Sequence, residues 1–487
     1  MNENPNFEIT NGILKKYHGN ASEISIPEGI REIGAWAFSG CETLFRVTIP
    51  DGVEEIGEGA FWSCASLTEI RLPATLKKIG KAAFGRCENL RDENGFIILR
   101  GILFDVCGMK TQAEIPEGVK EIAESAFSSQ TSLETITFPK SLIKIRNHAF
   151  FACYNLTELI FPEGLQSIGE SAFEGCRSVR KIQIPQSLKK IGDRSFCGCE
   201  QLSEIYIPSD LQTIGDEAFL GCVNLKNADG FTVVKGILFD YFGFEDNVTI
   251  PEGIHEIGAY AFAQSERLKE ITVTFGVEKI GKGAFSMCDH LERVNLSEGL
   301  AEIGRDAFFK CPNLAEIHLP KTLECIDERA FFGCSGLKTV HIPDGVRTLG
   351  PYAFGGCRGL RDENGFVIVR GVLFNYFGEE TSLVIPQNVT TVGKDAFSWK
   401  SGLNSVQLPE NTIEIGAYAF FHCSGLTEIN IPNGVKRIGE CAFLGCKNLK
   451  YISIPKSVTE IGSGAFYDCP AEIVYSNDIF SSNTHSK

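Results

Sequence analysis

Methionine and tryptophan are scarce, three of each in 487 residues, and long apolar runs are missing altogether. The most apolar stretch, residues 96–106, is cut by Arg100 and Asp105, so no window reaches the roughly 18 continuous apolar residues of a spanning helix. The opening Met1-Asn2-Glu3-Asn4-Pro5-Asn6 has neither the basic start nor the apolar stretch of an export signal. No membrane insertion is expected, and for the chain as written a cytoplasmic location. Positive charge is also in deficit: 46 Lys+Arg against 62 Asp+Glu gives a net charge of −16, a field that repels phosphate and disfavours nucleic acid as a partner. There is no Cys-x-x-Cys pair, no Gly-x-Ser-x-Gly elbow, no phosphate-binding Gly-rich loop ending in Gly-Lys-Ser/Thr and no His-Glu-x-x-His. These absences remove the usual signatures of structural zinc, acyl transfer, nucleotide binding and metalloprotease chemistry. No enzymatic activity, cofactor or metal is expected.

What the chain has in excess is glycine (50), phenylalanine (36) and cysteine (18), and the excess comes from one unit copied many times. Phenylalanines of a repeated Ala-Phe or Ser-Phe pair fall at Phe38, Phe61 and Phe84; at Phe127, Phe150, Phe173, Phe196 and Phe219; at Phe262 through Phe354; and at Phe397 through Phe466, stepping by 23 within a group and by 43 between groups. Each gap therefore holds an extra block of 20 residues, and the blocks are themselves near copies: Phe96 to Gly101-Ile102-Leu103-Phe104, Phe231 to Gly236-Ile237-Leu238-Phe239, and Phe366 to Gly371-Val372-Leu373-Phe374, with a fourth from Phe7 to Gly12-Ile13-Leu14. A larger period of 135 overlies the smaller one. Periods of this size signify stacked repeats.

Within one unit, Val47 and Ile49 alternate with Arg46 and Thr48, the pattern of a strand with one buried face, and Pro50 ends it by removing a ladder donor. Ile30 and Ile33 point inward, while Ala37, Phe38 and Cys41 are spaced for one face of a single helical turn. Twenty-three residues bury too little apolar surface alone, so the units must stack, each adding one parallel strand and one Phe to a continuous core. The expected fold is an α/β repeat solenoid with one parallel strand and a short helical turn per unit, interspersed with helix-poor blocks or hairpins. One solenoid is predicted over residues 1–475, in sub-blocks 7–91, 92–226, 227–361 and 362–475, followed by a polar tail, 476–487.

The pattern Leu-x-x-Ile-x-Ile-Pro-x-Gly-Val-x-x-Ile-Gly-x-x-Ala-Phe-x-x-Cys, kept from Phe7 to Cys469, resembles the BspA-like leucine-rich repeat, or leucine-rich repeat type 5. The resemblance implies a right-handed curved solenoid with a strand-lined face, and a role as a surface adhesin or antigen that binds other proteins. A cell-surface or secreted location is thus the alternative to a cytoplasmic one.

Fourteen cysteines stand three residues after a column Phe. One per layer, they point in parallel rather than at one another, which predicts a stack of reduced, buried thiols; Cys107, Cys197, Cys325 and Cys441 lie off the column. In the first unit after each internal block the position holds Gln130, Ser265 or Lys400 instead. A partner-binding face is expected at the exposed strand positions eight and ten residues after each Phe. The first of these alternates in charge, as rungs about 4.8 Å apart favour; the second is polar and mostly uncharged. Candidate contact residues are Arg71, Ile160, Tyr206, Glu316, His318, His341 and Tyr451, the aromatics as anchors and the two histidines as a pair one rung apart. The expected function is a non-enzymatic scaffold, monomeric, binding a protein or possibly a glycan through its repeat surface. A structural protein that self-associates through solenoid ends is the rival reading.

Overall fold

A computed structural model describes residues 6–475 except 107 and 109; Cys107 and the tail 476–487 lie outside the described residues. The chain forms two compact units, residues 1–235 with 239–242, and 236–238 with 243–487.

Each unit is a parallel β-solenoid. A rung carries a three- or four-residue strand, such as Arg46–Thr48, and a second, two-residue strand around the inward Ile, such as Glu55–Ile56. The second strand is too short to display alternation, so sequence registers it only as buried isoleucines. Both pair in parallel with their 23-residue equivalents: Arg46 with Glu69, Glu55 with Lys78.

The predicted helical turn does not form. Around each column Phe the chain makes a flat turn in which the residues two before and two after take positive φ, as at Trp36 (59°) and Gly40 (75°), or Tyr418 (57°) and His422 (54°). A left-handed residue twice in five positions is incompatible with an α-helix. The amides go elsewhere: Trp36, Phe38 and Gly40 donate to the carbonyls of Glu58, Ala60 and Trp62 in the next rung at 2.8, 2.7 and 2.8 Å. Inter-rung bonding thus satisfies donors that a helix would use internally. Among the described residues the helical segments are two short 3-10 turns, Glu88–Leu90 and Arg358–Leu360.

The core is a column of phenylalanine rings. Phe285, Phe308 and Phe331 are fully buried, with ring centroids 5.1 and 5.2 Å apart and planes within 6°, an offset stack. The cysteines run beside it but are more than apolar filler. Each buried thiol donates to the carbonyl of the Phe 26 residues earlier, for example Cys64 to Phe38 at 3.1 Å and Cys311 to Phe285 at 3.0 Å. This explains the exceptions after each block. Counting 26 residues back from Gln130 gives Phe104, which lies in a strand rather than a turn. Lys400 turns its ammonium to the Gly378 carbonyl instead.

The 20-residue blocks are β-hairpins: Phe7–Thr10 with Ile13–Tyr17, Phe96–Leu99 with Ile102–Val106, and Phe366–Val369 with Val372–Tyr376, each antiparallel. The strands Phe231–Val234 and Ile237–Tyr241 occupy the corresponding place in the third block. Their two-residue turns have positive φ at both positions, Asn11-Gly12, Arg100-Gly101, Lys235-Gly236 and Arg370-Gly371, the mirror-image turn that matches strand twist. At the internal turns the cation reaches back to the preceding rung. Arg100 donates to the Pro73 and Leu76 carbonyls at 3.1 and 3.4 Å, and Lys235 to those of Ser209 and Leu211 at 3.0 and 2.9 Å. Asn11, with no described rung before it, carries no cation. Arg100→Asn keeps a residue suited to the turn and removes only this tie; it should lower stability by about 1 kcal/mol, read from denaturant midpoints at unchanged m.

Candidate functional site

The strand face is built by three-residue strands whose middle residue enters the core. In the first unit Glu158–Ile160, Lys181–Gln183 and Glu204–Tyr206 form one sheet, with Ile160, Gln183 and Tyr206 in register. Ile160 and Tyr206 are 58% and 59% exposed and flank Gln183. Gln186 Nε2 donates to the Tyr206 hydroxyl at 3.4 Å. A shallow groove of about 660 Å³ lies along this edge between Lys181 and Leu225. The structure therefore assembles two of the candidate residues into one patch. Arg71 is exposed at the end of a different sheet, Glu23–Ser25 with Arg46–Thr48 and Glu69–Arg71.

In the second unit Glu316 and His318 share the strand Glu316–His318, the His318 Nε2 standing 3.4 Å from the Glu316 carboxylate. His341 does not extend that ladder. The strand ends in a single bridge from Glu316 to Thr339, and His341 is exposed outside any strand. That bridge keeps the 23-residue register, so the rung carrying His341 follows that of His318 without a full strand pair. Among the described residues no group of three or more His, Cys, Asp and Glu is arranged for a metal ion. Tyr451 is half exposed and opens onto a groove shared with Val384, Gln407 and Asn430. Val384, 65% exposed, escaped the sequence reading because its strand follows a hairpin. Counting ten residues from Phe374, the hairpin phenylalanine, finds it.

Charge on this face is compensated between rungs. Arg46 lies between Glu23 and Glu69 at 3.3 and 2.7 Å, and Arg293 is 3.2 Å from Glu270. Such exposed pairs contribute little stability and mainly avoid like-charge rows.

Of the 17 described cysteines, all free, twelve are buried. Burial pushes the Cys357 and Cys423 thiols up to about 12, far from the thiolate needed for reactivity. Cys41, the first column cysteine of the first unit, and Cys469, the last of the second, are only half-buried, as are the off-column Cys197, Cys325 and Cys441. A mild thiol reagent at pH 8 should leave the twelve buried cysteines unmodified until denaturant is added. Rapid reaction of most of them in the native protein would contradict the buried column.

A stack of parallel rungs with short strands on one side and a Phe-centred turn in each repeat defines a leucine-rich-repeat solenoid. The chain belongs to the family described as the BspA type leucine rich repeat region, whose model matches in six copies over residues 8–95, 98–229, 232–361 and 369–485. Similar solved structures include a leucine-rich repeat protein from Bacteroides ovatus, 23% identical, covering 97% of this chain and 98% of that one at a TM-score of 0.29. A leucine rich cell surface protein from Faecalibacterium prausnitzii is 21% identical over 97% and 93% of the two chains, TM-score 0.33. The pneumococcal vaccine antigen PcpA is 17% identical over 97% and 96%, TM-score 0.27. Comparison with curated proteins gives no match. Among the described residues no helix is long and apolar enough to cross a membrane.

Proposed function

We propose that the chain is a non-enzymatic interaction scaffold that binds a protein partner through its strand face. The observation that carries this reading is the patch of Ile160 and Tyr206 about Gln183, where two large exposed side chains are held in register by a hydrogen-bonded sheet. Fixing anchors on a rigid ladder reduces the ordering cost of binding, and large apolar or aromatic anchors rimmed by polar residues are the usual composition of an interface. Family membership supports the surface adhesin or antigen form of this role, with a cell-surface or secreted location. The same polar face suits a glycan as second choice.

The test is paired affinity capture from native extract with the wild-type chain and an Ile160→Ala/Tyr206→Ala double variant, both checked for unchanged unfolding midpoints. A partner retained by the wild type and lost by the variant is expected; equal retention would remove this patch from the reading. Protease accessibility on intact cells decides between surface and interior.

A further inference from the structure

Each hairpin interrupts the strand face, and the sheet that resumes after it begins with an open edge. The clearest instance is Ser382–Val384, first strand of the sheet that continues through Ser405–Gln407 and Glu428–Asn430. Its inner side is fully used. Asn404 and Ser405 donate to the Thr381 carbonyl at 2.6 and 3.2 Å, and Ile385 donates to that of Gln407 at 2.9 Å. Leu383, paired with Val406, completes the ladder. By the alternation of a parallel pair, the N–H and C=O groups of Ser382 and Val384 face the other way. On that side no strand follows. The turn 361–366 and residues 376–380 stand there instead, leaving a groove of about 530 Å³ beside the edge. Among the described residues no hydrogen bond from that side reaches Ser382 or Val384.

An unpaired strand edge is a template for another strand, and natural edges are normally blunted by lysine, proline or a cover. Here Ser382 and Val384 are exposed, Leu383 is buried, and neither lysine nor proline lies in the strand. The groove selects its occupant by charge. Its lining carries Asp362, Glu363, Glu379 and Glu380 against Arg361, and a further cation at the wall, Lys400, is held on the Gly378 carbonyl and over the Tyr376 ring. Asp362 is committed to the Asn364 and Phe366 amides, whereas Glu363, Glu379 and Glu380 are exposed. A second copy of this chain, with its net charge of −16, is a poor match for that rim.

We propose that the edge of Ser382–Val384 accepts an extended, lysine- or arginine-rich peptide segment of another protein as an added strand. Main-chain hydrogen bonds to Ser382 and Val384 would supply affinity and the carboxylates selectivity, the mode known as strand addition. The site is separate from the Ile160 and Tyr206 patch and does not depend on it.

The test uses the full chain and a labelled hexapeptide of alternating lysine and valine, followed by fluorescence anisotropy at low salt. Three controls accompany it: the same peptide N-methylated at alternate residues, an alternating glutamate and valine peptide, and the chain variants Val384→Pro and Ser382→Pro. Each proline deletes one outward N–H and spares the Leu383 ladder, a substitution edge strands tolerate. Glu363→Lys/Glu380→Lys tests the rim without touching the backbone, so a proline variant that fails to fold does not end the test. Expected are binding of the lysine peptide, at least about tenfold weaker binding after N-methylation, in the proline variants and in the charge-reversed variant, and none of the glutamate peptide. Failure of the lysine peptide to bind at about 1 mM, or binding indifferent to N-methylation, overturns the proposal. So does concentration-dependent self-association that Val384→Pro abolishes, which would give the edge to a second copy.

Discussion

Phe308→Ala should destabilise the second unit by about 3–5 kcal/mol, the range for truncating a fully buried aromatic. The ring has no exposed surface and is stacked on both sides by Phe285 and Phe331. Alanine would leave a ring-sized void between rungs that are pinned by backbone bonds, Phe285 N–H to Ala307 O and Phe308 N–H to Ala330 O at 2.8 and 2.7 Å, so the gap cannot close by collapse. Phe466 is the internal control. It is the last of its column, half-buried, with one stacking neighbour among the described residues, Phe443, at 5.5 Å, and Phe466→Ala should cost about half as much or less. Equal losses from denaturant unfolding would show that the column does not act as a stack of nearest neighbours.

The second large effect is a gain. Asp240 sits in the third hairpin, where its carboxylate accepts the Gly221 and Tyr241 amides, both at 2.8 Å. Burial outweighs these bonds and pushes its pKa up to about 6. A carboxyl raised in the folded state stabilises that state only while protonated. The contribution is complete below the unfolded value near 3.9 and is lost as pH rises through about 6. Asp240→Asn should therefore raise stability by about 1–3 kcal/mol at pH 7.5 and change it little at pH 4. The fourth hairpin already holds the substitution: Asn375 accepts the Gly356 amide at 2.6 Å through its side-chain oxygen. Unfolding midpoints of both proteins at the two pH values decide the matter, and a variant no more stable at pH 7.5 would refute the burial penalty.

The step of 23 and the interruption of 20 residues made the rungs, their parallel pairing and the position of the hairpins legible, because a fixed spacing can be satisfied only by equivalent places in a stack. The turn around Phe38 was misread for a definite reason. Ala37, Phe38 and Cys41 can share one face of a helical turn or of a flat one, and the difference lies in whether the amides of Trp36 and Phe38 bond within the rung or to Glu58 and Ala60 of the next. No single unit contains that information. The absence of a full strand at His341 was not legible for a similar reason: the 23-residue register persists in the Glu316–Thr339 bridge, but whether a full strand forms around it depends on inter-rung bonds that a single repeat does not encode. The contacts of Asp240 and Arg100 were not legible because their partners are main-chain groups 19 and 27 residues back, which leave no side-chain pattern to find.

The hairpins also constrain how such a gene can lengthen. Internal hairpins present Phe104, Phe239 or Phe374 edge-on to the last ring of the preceding group, Phe84, Phe219 or Phe354, at 5.4 to 5.8 Å. In the hairpin Phe7–Thr10 with Ile13–Tyr17 the same position is Lys15. Unequal recombination that copies one 135-residue period therefore inserts a segment whose two junctions already fit. Copying the Lys15 hairpin into the interior would set an ammonium against a phenylalanine ring and its buried surroundings, a costly burial of charge. The packing at the hairpin junctions thus favours lengthening by whole periods over lengthening with copies of the Lys15 hairpin.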